Sequence, residues 1–189
     1  LCGKTCGVAP GVELYYWAEP SWKRDYKYRT KALLEIIEFN LYKPQADRIR
    51  VVSISKGFDN REPNLEGWKN TIMLAEESGI YVVHCSADMH GVGVELNEDR
   101  NDLSKYNMCY FMNGQQLRMD GLLYTPIDNR TYASWQREDA YTFGSRGGLS
   151  WGAPYIAGVV ALGLQIDPSL SVGDLRSLLY ESGFEFNGG

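Results

Sequence analysis

The sequence predicts an α/β fold: a three-layer αβα arrangement with a mostly parallel sheet, in a single domain over residues 1–189. Three observations predict it. Short β-branched apolar runs alternate with longer runs whose apolar residues recur at helical spacing, the pattern of right-handed crossovers between parallel strands. Glycine or proline punctuates most of the junctions between them. The composition, 44% hydrophobic and 23% charged, is ordinary for a globular domain, and this length suits a core that buries roughly 70% of the unfolded surface.

The elements follow in order. Gly7-Val8-Ala9-Pro10-Gly11 is a turn signal, and the run 12–17 after it reads as a strand. The charged stretch 19–31 reads as a solvated lead-in to a helix, with a docking face as the functional alternative. Over 29–42, Leu33, Leu34, Ile36, Ile37 and Leu41 fall at helical spacing until Pro44 stops the run. Residues 49–55 form a β-branched strand that breaks at Lys56-Gly57-Phe58, and 59–66 is a polar loop. A second helix over 66–77 buries Trp68, Ile72 and Ala75, with Gly79 as its left-handed stop. Residues 80–85 read as another buried strand.

Beyond it, 90–104 reads as a surface loop, and 106–119 as a hairpin turning at Asn113-Gly114. Residues 121–145 read as a loop in which Tyr132, Trp135 and Tyr141 either line a cleft or pin the segment to the core. The last helix starts at Ser171, where Ser171 and Asp174 match a capping box with Asp in place of Glu. Val172, Leu175, Leu178 and Leu179 form its apolar face, and Gly183 ends it.

Composition limits the function. A net charge of −5 argues against a nucleic-acid surface, no apolar run approaches the roughly 20 residues of a membrane span, and no signal peptide is evident. Cysteines at 2, 6, 85 and 109 do not make a disulfide framework; free thiols in a reducing, cytoplasmic compartment are expected. Cys2 and Cys6 with His84 or His90 lack the two closely spaced ligand pairs of a zinc site, so no metal or other cofactor is expected.

Chemistry concentrates in the stretch 147–158, where two glycines precede Ser150 and Pro154 follows it. Glycine allows close backbone approach, and Pro154 is expected to be tolerated only in a first helical turn. Ser150 therefore stands near a helix N-terminus, either as a cap or as a nucleophile whose oxyanion is stabilised by free N–H groups. The run G-L-S-W-G-A-P-Y-I-A-G resembles the nucleophile motif of subtilisin-like serine proteases, G-T-S-x-x-x-P-x-x-x-G, with Leu149 in place of Thr. Three further segments resemble that family in the same order. G-V-A-P-G-V-E-L-Y is similar to its glycine-proline turn and core strand, and V-V-S-I-S-K-G to its substrate-pairing edge. G-I-Y-V-V-H-C-S-A-D is similar to the strand that leads to its oxyanion residue.

The resemblance implies a subtilisin-like serine endopeptidase acting on peptide or protein substrates. It implies Ser150 as the nucleophile and Asp88 at the oxyanion position, where the family has Asn. It also implies Ser55, Lys56 and Gly57 as a substrate-pairing edge, with Cys85, Ser86 and Ala87 beside the side-chain pocket. The family's D-[ST]-G and H-G-T-H motifs precede the segment that starts here at Gly7. The expectation is therefore a C-terminal portion of the catalytic domain, lacking the N-terminal strands and inactive alone. A chain beginning at Leu1 likewise reads as part of a longer protein. His84 reads as a buried strand histidine, and His90 as a residue that could approach Ser150.

The G-x-S-x-G nucleophile elbow of α/β-hydrolases also fits 148–152, but that fold needs a histidine after the serine and none follows. Two other expectations stand beside the protease: a non-catalytic peptide-binding pseudoprotease, and an assembly module. The second would bury uncovered core surface against the missing N-terminal portion or by self-association.

Overall fold

The computed structural model describes residues 2–5, 7–86, 89–109, 123–137 and 139–184. Its framework is a parallel pair of strands, β1 (Val51–Ile54) and β2 (Tyr81–His84), with helices on both faces. Side chains of a strand alternate between faces, and the two core clusters follow that alternation. Val51, Tyr81 and Val83 pack with Ala153, Ile156, Ala157 and Val160 of α3 (Leu149–Ile166). Val52, Ile54, Ile80 and Val82 pack with Leu33 and Ile36 of α1 (Lys27–Leu41) and Trp68, Ile72 and Ala75 of α2 (Leu65–Glu77). Helix α4 (Val172–Glu181) adds Val172 and Leu175 to the first cluster.

The helices begin and end as their residues dictate. Ser171 and Asp174 complete the expected capping box: the Ser171 hydroxyl accepts from the Asp174 N–H at 3.1 Å, and the Asp174 carboxylate accepts from the Ser171 N–H at 2.9 Å. Gly79 takes φ +83°, the left-handed conformation that lets the chain leave α2 and enter β2. Helix α3 is long and apolar enough to cross a membrane, but its Ala153, Ile156, Ala157 and Val160 are core residues against β1 and β2.

The remaining strands revise the expectation in several places. The segment 12–17 has no regular secondary structure and joins no sheet; Leu14 and Tyr16 are exposed, because composition favours a strand only where a partner edge exists. The stretch read as a loop from residue 90 opens with β3 (Met89–Gly93), and 121–145 contains β5 (Leu123–Pro126), β6 (Arg130–Ala133) and β7 (Tyr141–Gly144). Strand β3 lies between antiparallel β4 (Asn107–Met108) and parallel β5, while β6 and β7 form an antiparallel pair. The described strands thus divide among three small sheets, with two parallel and two antiparallel pairings. The expected hairpin turn at Asn113-Gly114 lies outside the described residues.

The lead-in 19–31 is not simply solvated either. Tyr26 has no exposed surface and stacks on Trp68, and Arg29 is buried over the Tyr26 ring. Leu34 and Leu41, expected on the apolar face of α1, are exposed.

Because Gly79 holds a conformation that costs an L-residue roughly 1–2 kcal/mol, Gly79→Ala should destabilise the protein by about 1 kcal/mol. Urea unfolding followed by circular dichroism measures it. An unchanged midpoint would mean that the α2–β2 turn is not fixed in this geometry.

Candidate active site

Ser150 is the second residue of α3, and its position is set by two glycines and a proline. Gly148 is the N-cap in extended backbone and makes no side-chain cap bond, so the cap reading of Ser150 is corrected. A side chain on Gly147 would run into the Ile127 carbonyl, and the Gly147 N–H donates to the buried Asp128 carboxylate at 2.6 Å. That contact fixes the approach to the helix.

Pro154 lies in the second turn, not the first. It has no N–H to donate to the Ser150 carbonyl four residues back. The Ser55 hydroxyl replaces that bond, donating to the Ser150 carbonyl at 2.8 Å. In return the Ser150 hydroxyl donates to the Ser55 carbonyl at 3.2 Å. A helix defect therefore becomes the link between α3 and the end of β1.

The Cys85 thiol lies 3.9 Å from the Ser150 hydroxyl. Burial pushes the thiol pKa up, with a smaller opposing effect from the Ser150 hydroxyl, so Cys85 is a protonated neighbour rather than a thiolate. The N–H groups of Leu149 and Ser150 have no acceptor among the described residues. They stand at the positive end of an 18-residue helix, an arrangement that favours negative charge beside the serine hydroxyl.

Around this centre the structure gathers most of the expected site residues. Ser55 and Cys85 touch Ser150 directly. The Lys56 carbonyl accepts from the Cys85 N–H at 3.2 Å, continuing the β1–β2 pairing past the strand ends. Gly57 passes so close to Ser86 that an added Cβ would stand 2.8 Å from its hydroxyl oxygen. That oxygen accepts from the Phe58 N–H at 2.6 Å. Ala87 and Asp88 lie outside the described residues. No group of three or more His, Cys, Asp or Glu side chains positioned for a metal ion occurs among the described residues.

Neither histidine is bonded to Ser150. His84 is a buried strand residue whose Nδ1 accepts from the Ser86 N–H at 3.2 Å and whose ring packs on Phe58, 4.7 Å between centroids. His90 sits in β3 against the Tyr124 ring of β5 instead of at the serine.

Two residues that pattern reading does not single out hold the site's floor. The Tyr26 hydroxyl accepts from the Asp59 N–H at 2.6 Å and donates to the Gly57 carbonyl at 3.4 Å. Glu62, 2% exposed at its side chain, pairs with Lys56 at 2.9 Å and with buried Arg29 at 3.4 Å. Those two cations, Lys56 first, hold the Glu62 pKa below the usual carboxylate range. Both residues sit in stretches whose polarity reads as solvent exposure, so only the tertiary contacts reveal them.

The fold is that of subtilisin-like proteases. Over 80% of its length the chain superposes on sphericase at a TM-score of 0.57 with 16% identity, covering 53% of that chain. Over 86% it superposes on fervidolysin from Fervidobacterium pennivorans, described as a keratinolytic enzyme related to subtilisin. There too the TM-score is 0.57 and the identity 16%, and 26% of that chain is covered. The chain thus spans about half of one and a quarter of the other. No protein-family model and no curated protein sequence matches it.

Ser55→Ala should destabilise the protein by about 1 kcal/mol, since it leaves the Ser150 carbonyl without a donor. In a Pro154→Ala background the cost should shrink, because residue 154 then supplies the helical N–H. A double-mutant cycle in urea measures the difference, and equal costs in both backgrounds would sink the account.

Glu62→Gln should cost about 2 kcal/mol at pH 7, since it removes the charged partner of Lys56 and one of the two carboxylates at buried Arg29, which keeps Glu19 at 3.1 Å. A carboxylate with a depressed folded pKa contributes stability above its unfolded value near 4.3, and loses it as pH falls through the folded value. The gap between wild type and variant should therefore narrow progressively as pH falls below that unfolded value, as read by unfolding midpoints across pH.

Proposed function

We propose that this chain carries the nucleophile side of a subtilisin-type serine endopeptidase site. The observation that carries the reading is Ser150 itself. Its hydroxyl stands on the first turn of α3, beside N–H groups that have no acceptor among the described residues, at the carboxyl ends of the parallel pair β1–β2. Ligands of parallel α/β sheets bind at those ends. Helices on both faces of the pair support a three-layer αβα arrangement around a parallel sheet.

In this reading the Ser150 oxygen attacks the scissile carbonyl carbon, its proton passes to a base, and the leaving amine departs from an acyl-enzyme. Ser55, Lys56 and Gly57 would form the edge on which an extended substrate pairs, and Cys85, Ser86 and, by its place in the family's motif, Ala87 would serve the side-chain pocket. By its place in the family's motif, Asp88 corresponds to the oxyanion residue. A protonated carboxyl there donates a hydrogen bond, whereas an ionised one opposes the oxyanion and forgoes the roughly 3–4 kcal/mol that a donor supplies.

What supports a base from outside the described residues is that the Ser150 hydroxyl donates to the Ser55 carbonyl and that neither His84 nor His90 is bonded to it. Residues 1–189 alone are inactive on this reading. That same hydrogen bond favours a second reading, a pseudoprotease that binds peptides through the edge without cleaving them.

A fluorophosphonate probe separates these readings. Residues 1–189 should label at Ser150 no faster than the Ser150→Ala background, and a longer polypeptide embedding them should label at Ser150. Labelling of 1–189 at the rate of an intact protease would overturn the external base. A longer protein that fails to label would favour the pseudoprotease.

A further inference from the structure

A cavity of about 1050 Å³ opens along β1 on the side away from β2. One wall is the free edge of β1. The Arg50 carbonyl accepts from the Tyr81 N–H, so alternate peptide groups of β1 face β2 while those of Val51 and Ser53 face outward. No strand among the described residues takes that outward edge. Burial records the difference, since every residue of β2 is buried and none of β1 is.

The segment 12–17, which belongs to no helix or strand, lines the cavity as well. After the Val12 N–H bonds the Ala9 carbonyl, the backbone of 13–17 makes no hydrogen bond among the described residues. The segment is held by its rings, with Tyr15 and Trp17 against Phe39 at 5.5 and 5.7 Å. The cavity is closed on one face by Ala32, Leu33 and Ile36 of α1, and on the other by Ala157, Ala161 and Leu164 of α3.

We propose that this cavity receives one extended, apolar polypeptide strand, which pairs with β1 and with segment 12–17. A small apolar ligand could fill the volume, but it would leave the facing N–H and C=O groups unpaired, at about 1–3 kcal/mol each. Polypeptide backbone satisfies both edges at once. Helices on both faces require side chains that are apolar in both directions, a continuous Val/Ile/Leu run rather than an alternating one. The four residues of β1 span about 13 Å, so four to six residues suffice.

A second copy of the chain is a poorer occupant, since it offers the same concave slot and, among the described residues, no apolar strand outside its sheets. Sphericase, with 53% of its chain covered, holds polypeptide beyond the matched portion, as an added strand requires. The proposal is independent of whether Ser150 reacts.

The test adds to residues 1–189 a synthetic peptide of six alternating valines and isoleucines between paired terminal lysines. The control peptide has alternate amides N-methylated, which keeps the apolar side chains and removes strand pairing. Hydrogen exchange is read at Val51, Ser53 and 13–17, and binding by tryptophan fluorescence. The expected result is saturable binding that slows exchange at those amides, at least tenfold weaker for the methylated peptide. Ser53→Pro, which removes an outward N–H, should weaken binding about tenfold, as should Ala161→Glu, with circular dichroism confirming the fold.

Equal binding of both peptides would make the cavity a site for apolar ligands and overturn the proposal. So would protection of the same amides by concentration-dependent dimerisation without peptide, seen in sedimentation equilibrium. Absence of any protection at Val51 and Ser53 would overturn it as well.

Discussion

Two-sided burial of the β1–β2 pair is the constraint on which the other elements depend. A strand buried on both faces favours apolar residues, and the run Tyr81–His84 is buried throughout, its one polar ring, His84, accepting from the Ser86 N–H. Its alternate side chains commit one face to α3 and α4 and the other to α1 and α2. Neither helix layer would have a complementary surface without the pair between them, and isolated helices of 10–18 residues are marginal in water. The positions of Ser55 and Cys85, just past the two strand ends, follow from this stacking.

The site illustrates how a local violation is absorbed by a tertiary contact. A proline in the second turn of a helix removes a backbone donor, ordinarily a loss of about 3 kcal/mol. Here the orphaned carbonyl belongs to Ser150, and a serine hydroxyl from a different element satisfies it. The loop that carries Ser55 into position is itself braced from beneath by Tyr26 and by the Glu62 ion pairs. A polar centre on a helix N-terminus is thus held, directly or through that loop, by Ser55, Tyr26 and Glu62.

Much of this was legible in the sequence wherever periodicity and end signals agreed. Helices α1, α2 and α4, strands β1 and β2, and the capping box fall within a few residues of their expected places. The contacts of Ser55 and Cys85 with Ser150 were not legible there, since they join three separate segments of the chain. What escaped reading depends on partners. Residues 12–17 have strand composition and no adjacent strand. Strand β3 looked like a loop because of Gly91 and Gly93, yet these glycines mark tight packing: an added Cβ at Gly91 would strike Cys109 Sγ at 2.7 Å, and one at Gly93 would strike Asp128 Cβ at 2.7 Å. Strands β5 to β7 are short and aromatic-polar in composition, so no period of two stands out over four residues.

Arg50 carries one last consequence. Its guanidinium donates to the carbonyls of Gly79, Pro168 and Leu170, tying the start of β1 to the turn before β2 and to the segment that follows α3. At its other end β1 is tied to the start of α3 through Ser55 and Ser150. A strand and a helix clasped at both ends cannot slide past one another without breaking both clasps together. They form one cooperative unit of local opening, so whatever steadies the edge of β1 also limits how far the serine can wander.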